Sequence, residues 1–416
     1  MDRIKKIIVS IQFSEKEIEL GELVDDSGSI YFKYYTSFIK SGLDISPIKL
    51  ALNDGLNKAD KIPFEGLFGV FNDSLPDGWG RLLLDRKLMA EGVLPSDLSP
   101  LDRLAYVGTS GMGAINYRPL KEMNAEKKGV LELDDIANEL DKVYEGTSIE
   151  IIEELFNLGG SSGGARPKIF VGYNRVTEQL IYGSNNLPES NEHWIIKFPS
   201  STDLPDIARI EYAYHKMALD AGIKMNECKL FSGASGQKYF GTKRFDRDGN
   251  NRIHMHSACG LLHDDFRLST MDYGHLMDVA FNLIKDVRVY EEVLRLAIFN
   301  IYTHNRDDHS KNFSFLMDEN GSWRFSPAYD LTFSSSSHGM HSTMVAGESE
   351  RPGEDQLKEL ASHFGVKNVE SIIKEVKAIC INWMEYAESA GVKKSSVSLV
   401  NKKIKSLIKN SGNCSY

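Results

Sequence analysis

The chain has 416 residues, of which 41% are hydrophobic and 26% charged, and its formal net charge is −10. This length exceeds that of an ordinary single domain, so it predicts two or three packed units with a sizeable core and excludes a globally disordered chain. The acidic balance disfavours general binding to nucleic acid, because phosphate backbones repel it, and we interpret it as a solubility feature.

The cysteines and the N-terminus indicate the compartment. The cysteines are far apart and form no C-x-x-C pair, so neither a disulfide framework nor a structural zinc site is expected. They are Cys228, Cys259, Cys380 and Cys414. The apolar run from Ile7 to Ile11 is too short for a signal peptide, and no apolar stretch is long enough to span a bilayer. We therefore expect a cytoplasmic protein.

Residues 1–120 predict a β-rich N-terminal unit with short helices. Apolar residues alternate from Ile7 to Ile11 and from Ile30 to Tyr34, as in half-buried strands. Gly78 to Met89 carries apolar residues at helical spacing, and Ser99-Pro100 is an N-cap and N1 pair that begins a further helix.

Residues 121–147 predict a polar connecting segment with one helix, and residues 148–250 a small mixed sheet that carries a Gly-rich loop. Residues 251–416 turn helical, and the broad apolar face from Tyr290 to Tyr302 predicts a buried helix. The fold class is therefore α+β, with a small mixed β-sheet lobe, a helical lobe and a β-rich N-terminal subdomain. A cleft between the sheet and the helical lobe is the natural ligand site.

The densest cluster of polar residues follows the predicted buried helix, from His304 to Asn312. Within it, Asp307 and Asn312 have the D-x-x-x-x-N spacing of a protein-kinase catalytic loop, in which the Asp accepts the proton of the attacking hydroxyl and the Asn holds a metal ion. Such a spacing also occurs in polar turns that end helices, and the density of charged residues is what favours the catalytic interpretation.

Asp330 closes an apolar segment eighteen positions beyond Asn312, which is the place of the magnesium-binding Asp of kinases. There is no D-F-G sequence, and a turn Asp after Pro327 is the alternative.

Three upstream features complete the kinase order. The Gly-rich stretch from Gly159 to Gly164 can cradle phosphates with its backbone amides, although it lacks a Walker ending and could be a linker. Lys197 lies in an apolar strand, and Glu211 on the following helix could pair with it, as kinases pair their phosphate-binding Lys. A solvent-facing edge strand is the alternative for Lys197.

These residues resemble those of the HipA family, serine/threonine kinases that act as bacterial toxins, over nearly the whole chain. The most specific match is the segment from Asp307 to Ser314, which fits the family's D-x-H-x-K-N-F-S signature. Further matching segments are Ser161 to Lys168, Trp194 to Pro199, Arg244 to Arg247, Tyr329 to Leu331 and, in the N-terminal unit, Phe71 to Asp77.

The resemblance implies a two-lobed protein-kinase-like fold, with ATP and Mg²⁺ as cofactors. It implies Asp307 as the catalytic residue, and Asn312 and Asp330 as the metal ligands. Lys243 and Phe245 would offer hinge backbone groups to adenine, Asp246 would contact the ribose, and His309 would help to hold the phosphates. The implied ATP-binding set is Ser161, Ser162, Gly163, Gly164, Ala165, Lys197, Glu211, Lys243, Phe245, Asp246, His309 and Lys311.

The resemblance also implies regulation and partners. Ser161 and Ser162 are the candidate autophosphorylation sites, where a phosphate would pull the loop from the ATP pocket. The usual partner is a helix-turn-helix antitoxin (HipB-like), through which any contact with DNA would be made. Known substrates of the family include aminoacyl-tRNA synthetases.

Two departures leave the substrate open. Asp308 stands where many members carry Gly, which predicts an extra negative charge beside the metal site. Arg166-Pro167 replaces a Gln-Glu pair of the best-known type. The alternatives are a kinase-like phosphotransferase with a small-molecule acceptor and a catalytically silent pseudokinase that acts as a co-repressor.

Overall fold

The structure is a computed structural model that describes residues 3–121, 129–145, 152–159, 164, 166–183, 186–336 and 339–410. Within these ranges no helix combines the length and the apolar character that crossing a membrane requires.

The N-terminal unit is an antiparallel sheet with strand order β4-β3-β2-β1-β5, flanked by helices. The alternation read from the sequence is borne out, because Ile7, Val9 and Ile11 are fully buried. The predicted cap is also present, since the Ser99 hydroxyl accepts a hydrogen bond from the amide of Asp102 at 3.1 Å. The elements are β1 (Lys6–Gln12), β2 (Glu17–Asp26), β3 (Ser29–Tyr34), α1 (Thr36–Ile39), β4 (Asn57–Lys58), α2 (Gly69–Asn72), α3 (Gly78–Ala90), α4 (Pro100–Val107) and β5 (Ile115–Arg118).

The small lobe is an antiparallel sheet with strand order β10-β11-β9-β7-β8-β6. Strand β9, which carries Lys197, pairs with β11 on one side and with β7 on the other, so Lys197 is not on an edge strand. The elements are β6 (Gly129–Val130), α5 (Leu133–Glu145), α6 (Ile152–Gly159), β7 (Lys168–Asn174), β8 (Leu180–Tyr182), β9 (Asn191–Lys197), α7 (Ile207–Asp220), β10 (Cys228–Ser232) and β11 (Lys238–Lys243).

The large lobe is helical around the buried helix α10, as the sequence predicted. The elements are β12 (Arg247–Asp248), β13 (Asn251–Arg252), β14 (His254–Ser257), α8 (Ala258–Leu262), α9 (Tyr273–Ile284), α10 (Arg288–Thr303), β15 (Ser314–Met317), β16 (Trp323–Phe325), α11 (Glu354–His363), α12 (Val369–Ile381), α13 (Trp383–Ser389) and α14 (Lys394–Asn410).

The hydrophobic cores join these units. The core of the N-terminal sheet includes Cys259 and Met317 of the large lobe. Helix α2 approaches α8 so closely that a Cβ at Gly69 would lie 2.0 Å from the carbonyl oxygen of Gly260, which only glycine avoids. Helix α3, although it belongs to the first 120 residues, contributes Trp79 to the core of the small lobe. All three units therefore surround one cleft, which lies between the two lobes of a kinase-like fold.

Candidate active site

A cleft of about 1640 Å³ lies between the sheet of the small lobe and the helical lobe. Most of the predicted site residues that the structure describes line it, from both lobes. Those residues are Gly164, Lys197, Lys243, Phe245, Asp307, His309, Lys311, Asn312 and Asp330. Four further predicted residues, Ser161, Ser162, Gly163 and Ala165, lie outside the described residues.

Lys197 is held by two carboxylates. Its ammonium group contacts Glu211 of helix α7 and Asp330 of the large lobe, and it is 8% exposed. Burial alone would lower the pKa of Lys197, but the two carboxylates raise it above its ordinary value. A buried amine with paired partners stays charged, as binding to phosphates requires.

Asp330 lies at the junction of the lobes, and its backbone is in the left-handed region at φ 55°. Burial opposes its charge, but Lys197, Lys168 and Arg166 hold the pKa of this carboxyl well below its usual range. Lys168, on strand β7 beside β9, is itself buried, and desolvation lowers its pKa. The three basic side chains that lower the pKa of Asp330 all come from the small lobe.

The predicted catalytic loop, from His304 to Asn312, starts where helix α10 ends. His304 adopts a left-handed conformation at φ 57° and turns the chain into the loop. The side-chain amide of Asn312 donates to the backbone carbonyl of Asp307 at 2.7 Å. This bond fixes the spacing of the two residues and leaves the amide oxygen of Asn312 available to a cation.

Asp307 faces the cleft with about half of its side chain exposed, and Nε2 of His309 lies 3.9 Å from its carboxylate. Desolvation by the cleft walls raises the pKa of Asp307, and Asp330 adds to this, whereas His309 and Arg166 oppose it. A carboxylate with a raised pKa is a better proton acceptor, which suits a general base.

Asp308 is positioned differently from the prediction. Its side chain is buried in the large lobe, where it accepts hydrogen bonds from the hydroxyl of Tyr273 at 3.0 Å and from the amide of Ser342 at 2.9 Å, and it lies 3.0 Å from His341. Its charge still contributes to the raised pKa of Asp307, but the side chain itself anchors the loop and does not face the cleft.

The hinge requires one correction, at Asp246, and the structure limits what the Lys243 backbone can offer. Asp246 is fully buried and is bound by Arg244 and Arg247, so it has no free oxygen in the cleft for a ribose. The amide of Lys243 donates to the carbonyl of Glu227 at 2.9 Å, and its carbonyl accepts from the side chain of Asn226 at 3.0 Å. The Lys243 amide is thus occupied, and Phe245, whose ring lies 5.3 Å from that of Tyr329, remains the hinge candidate.

The donors around the catalytic loop fit Mg²⁺. Asn312 offers an amide oxygen and Asp330 a carboxylate kept ionised by its neighbours, and hard oxygen ligands of this kind are those that Mg²⁺ prefers. In the described part of the chain no group of three or more His, Cys, Asp or Glu side chains could hold a metal. A magnesium ion bound through one or two protein ligands and the phosphates of a nucleotide does not need such a group.

Sequence reasoning gave no role to two charged residues of the cleft. Arg166 forms an ion pair with Asp203 at 2.7 Å and lies 3.8 Å from Glu211. Asp77 forms an ion pair with Lys311 at 2.6 Å. Both residues lie in segments that resemble the family, but only the three-dimensional arrangement shows which residues form ion pairs with them.

The fold and the cleft define the class of protein: a two-lobed kinase-like fold with an added N-terminal unit. The chain matches two family models, the HipA N-terminal domain over residues 13–118 and the HipA-like C-terminal domain over residues 160–384. The second match covers more than half of the chain, and the chain belongs to the HipA family.

Two similar proteins are named as putative kinases. The chain is 30% identical over 275 residues to "Putative kinase Y4mE" of Sinorhizobium fredii, which is 63% of each chain. It is 25% identical over 189 residues to a "Putative kinase" of Haemophilus influenzae, which is 42% of this chain and 52% of that protein. The match thus spans less than two thirds of either relative.

A solved structure has the same fold. It is the Shewanella oneidensis HipA in its complex with HipB and operator DNA, at a TM-score of 0.70 and 18% identity over 96% of both chains.

Proposed function

We propose that this protein is an ATP- and Mg²⁺-dependent serine/threonine protein kinase. The observation that carries the proposal is the convergence, in one cleft, of the paired Lys197 with Asp330 and the catalytic-loop residues Asp307 and Asn312. Membership of the HipA family and the kinase names of two relatives support it.

In the proposed reaction, Lys197 binds the α- and β-phosphates and Glu211 keeps its ammonium group in place. Asp307 orients a serine or threonine hydroxyl and accepts its proton as the oxygen bonds to the γ-phosphorus. The bond from that phosphorus to the β,γ-bridging oxygen breaks, and ADP leaves. When bound, Mg²⁺ supplies charge neutralisation between the β- and γ-phosphates.

The test compares wild type with Asp307→Asn, which keeps the size of the side chain and removes the proton acceptor. We expect wild type to incorporate phosphate from labelled ATP with Mg²⁺, and Asp307→Asn to lose at least about a hundredfold in rate. If both variants bind ATP but neither transfers phosphate, the chain is a pseudokinase and the proposal fails.

We further propose that this kinase is the growth-inhibiting, cytoplasmic toxin of a toxin–antitoxin pair, restrained by a helix-turn-helix antitoxin of the HipB type. Its substrate would be a translation component such as an aminoacyl-tRNA synthetase, because blocking translation stops growth. Expression of wild type and Asp307→Asn in the host, with phosphoproteomics of both, tests this. Phosphate transfer without growth arrest would retain the kinase and reject the toxin.

Autophosphorylation of Ser161 or Ser162 is the proposed means of self-inactivation. A phosphate on Ser161 or Ser162 adds about two negative charges and new acceptor oxygens to the Gly-rich loop, and we expect these to pull the loop away from the ATP pocket. Phosphopeptide mapping of wild type after incubation with ATP should find one of these two sites modified. Unmodified peptides from an active enzyme would end this part of the proposal.

A further inference from the structure

Together with Gly78 and Met112, the short segment from Asp73 to Asp77 brings the N-terminal unit to the cleft. At its start, the Asp73 carboxylate accepts hydrogen bonds from the hydroxyl of Ser257 at 2.6 Å and from its amide at 2.7 Å, and it lies 2.7 Å from Nδ1 of His256. The segment is therefore firmly docked on the large lobe before helix α3 begins.

At the other end of the segment, Asp77 contacts both lobes of the kinase at once. One carboxylate oxygen pairs with the ammonium group of Lys311 at 2.6 Å, and the other accepts a hydrogen bond from the amide of Gly164. The amide of Trp79, in the first turn of α3, donates to the carbonyl of Gly164 at 3.0 Å. Gly164 is thus bound on both its amide and its carbonyl by the N-terminal unit.

The charges around Asp77 keep this contact ionic. Asp77 is 7% exposed, and although burial raises the pKa of a carboxyl, Lys311 and Lys168 lower the pKa of Asp77 below its ordinary value. The Lys311 side chain is itself only 16% exposed, and its ammonium group lies 2.6 Å from the Asp77 carboxylate. Each group maintains the charge of the other, so removal of one leaves a buried, unpaired charge.

Both partners of Asp77 are parts of the cleft. Lys311 is adjacent in sequence to Asn312 and lies four positions after Asp307, so a shift of Lys311 displaces the catalytic loop. Gly164 closes the Gly-rich stretch just before Arg166 and Lys168, which lie near Asp330. The Asp77 carboxylate therefore connects the segment that carries Asp307 and Asn312 with the end of the Gly-rich stretch.

We propose that Asp77 is a positioning residue for phosphoryl transfer, through which the N-terminal unit aligns the catalytic loop with the end of the Gly-rich loop. This inference rests on the proposed kinase function. It makes the N-terminal unit a component of the active site, because the carboxylate that spans the two kinase elements comes from residue 77. Misplacement by about 1 Å costs on the order of a hundredfold in rate.

The experiment compares Asp77→Asn and Asp77→Glu with Asp85→Asn in the full-length protein. Asp85 is the matched control, because it pairs with Arg103 at the similar distance of 2.7 Å within the N-terminal unit and does not line the cleft. The measurements are the Kd of a fluorescent ATP analogue with Mg²⁺, KM and kcat for phosphate transfer, and the melting temperature.

We expect Asp77→Asn to weaken nucleotide binding about tenfold and to lower kcat/KM about a hundredfold, with a melting temperature close to that of Asp85→Asn. Asp77→Glu keeps the negative charge on a longer side chain, so its nucleotide Kd and its kcat/KM should lie between those of wild type and Asp77→Asn. Asp85→Asn should keep the Kd and the kcat/KM of wild type within about twofold.

Three outcomes would overturn the inference. One is wild-type binding and turnover in Asp77→Asn. Another is that Asp77→Asn and Asp85→Asn both lose nucleotide binding and turnover, each by an amount that follows the fall in its melting temperature. The third is an unfolded Asp77→Asn together with wild-type kinetics in Asp77→Glu, which would make the role of Asp77 structural. If wild type binds nucleotide but transfers no phosphate, the kinase proposal fails and with it the role of Asp77 in phosphoryl transfer, and the Kd comparison then decides only whether Asp77 aligns the nucleotide-binding cleft.

Discussion

At the scale of single residues, the partners of a charged side chain decide its role. Lys197 and Asp246 are both buried, and both stand in segments that resemble kinase motifs. The ammonium group of Lys197 pairs with two carboxylates at the edge of an open cleft, where it can also contact phosphates. Asp246 is enclosed by Arg244 and Arg247 and also accepts the amide of Gly113 at 2.8 Å. The first arrangement can bind a ligand, and the second fastens the hinge to the N-terminal unit.

This difference predicts that Asp246→Asn reduces stability without weakening nucleotide binding. Removing one member of a buried charge pair costs about 3–5 kcal/mol, because the two guanidinium groups are left without their carboxylate. We expect urea denaturation to show a loss of this size and the ATP-analogue Kd of the folded protein to stay within about twofold. Asp248→Asn, at an exposed position two residues on, should change neither quantity. A clear rise in Kd without loss of stability would restore Asp246 as a ribose contact.

At the scale of elements, the catalytic loop is fixed from behind by buried polar groups. The side chain of Asn305 donates to that of Asn300 at 2.9 Å, and Asn300 donates to the hydroxyl of Tyr273 at 2.9 Å. Tyr273 in turn donates to Asp308, which also binds the segment from His341 to Thr343. Helices α9 and α10 and the segment after Asp330 are thereby joined behind Asp307.

We therefore expect Asp308→Asn to act through the position of the loop. It leaves the donors of Tyr273 and Ser342 with a weaker acceptor, which should cost about 2 kcal/mol in stability and about tenfold in kcat. The Mg²⁺ concentration for half-maximal rate should not change. Tyr273→Phe removes only one donor and should have a smaller effect of the same kind. A large change in the Mg²⁺ requirement, with stability intact, would show instead that Asp308 acts on the metal.

The sequence predicted the helices and strands better than it predicted which elements pack against each other, for a physical reason. The alternation from Ile7 to Ile11, the cap at Ser99 and the apolar face of α10 are local patterns, and each appears in the structure as expected. An apolar face shows that α3 must pack, but not that it packs on the small lobe. In the same way, spacing identified Asp307 and Asn312, whereas the burial of Asp246 and Asp308 depends on residues far away in the sequence.

At the scale of the whole molecule, histidines of the large lobe join it to the N-terminal unit. His254 is fully buried, and its Nε2 lies 2.9 Å from the carbonyl oxygen of Ile45. His263 accepts the amide of Gly69 at 3.2 Å, which requires a neutral ring. Burial lowers the pKa of both His254 and His263 to about 4. The contacts of His254 and His263 are therefore built for uncharged imidazoles.

This predicts how stability depends on pH. Above pH 6.5 both histidines are neutral in the folded and in the unfolded chain, and their contribution is fully present. As pH falls from 6.5 towards about 4, these histidines become protonated in the unfolded chain but stay neutral in the folded chain, so the free energy of unfolding declines. Each histidine contributes a slope of up to about 1.4 kcal/mol per pH unit, and the total for His254 is about 3 kcal/mol.

His254→Gln tests this dependence, because glutamine can still donate to the Ile45 carbonyl but does not titrate in this range. Carboxylates also lose stability in acid, so the relevant quantity is the difference in unfolding free energy between wild type and variant at each pH. That difference should be constant above pH 6.5 and should shift in favour of the variant by about 3 kcal/mol on descent to pH 4. His363→Gln, at an exposed position of α11, should follow wild type throughout. A difference between wild type and His254→Gln that does not vary with pH would mean that protons reach His254 in the folded state, and that the contact between the two units tolerates the charge.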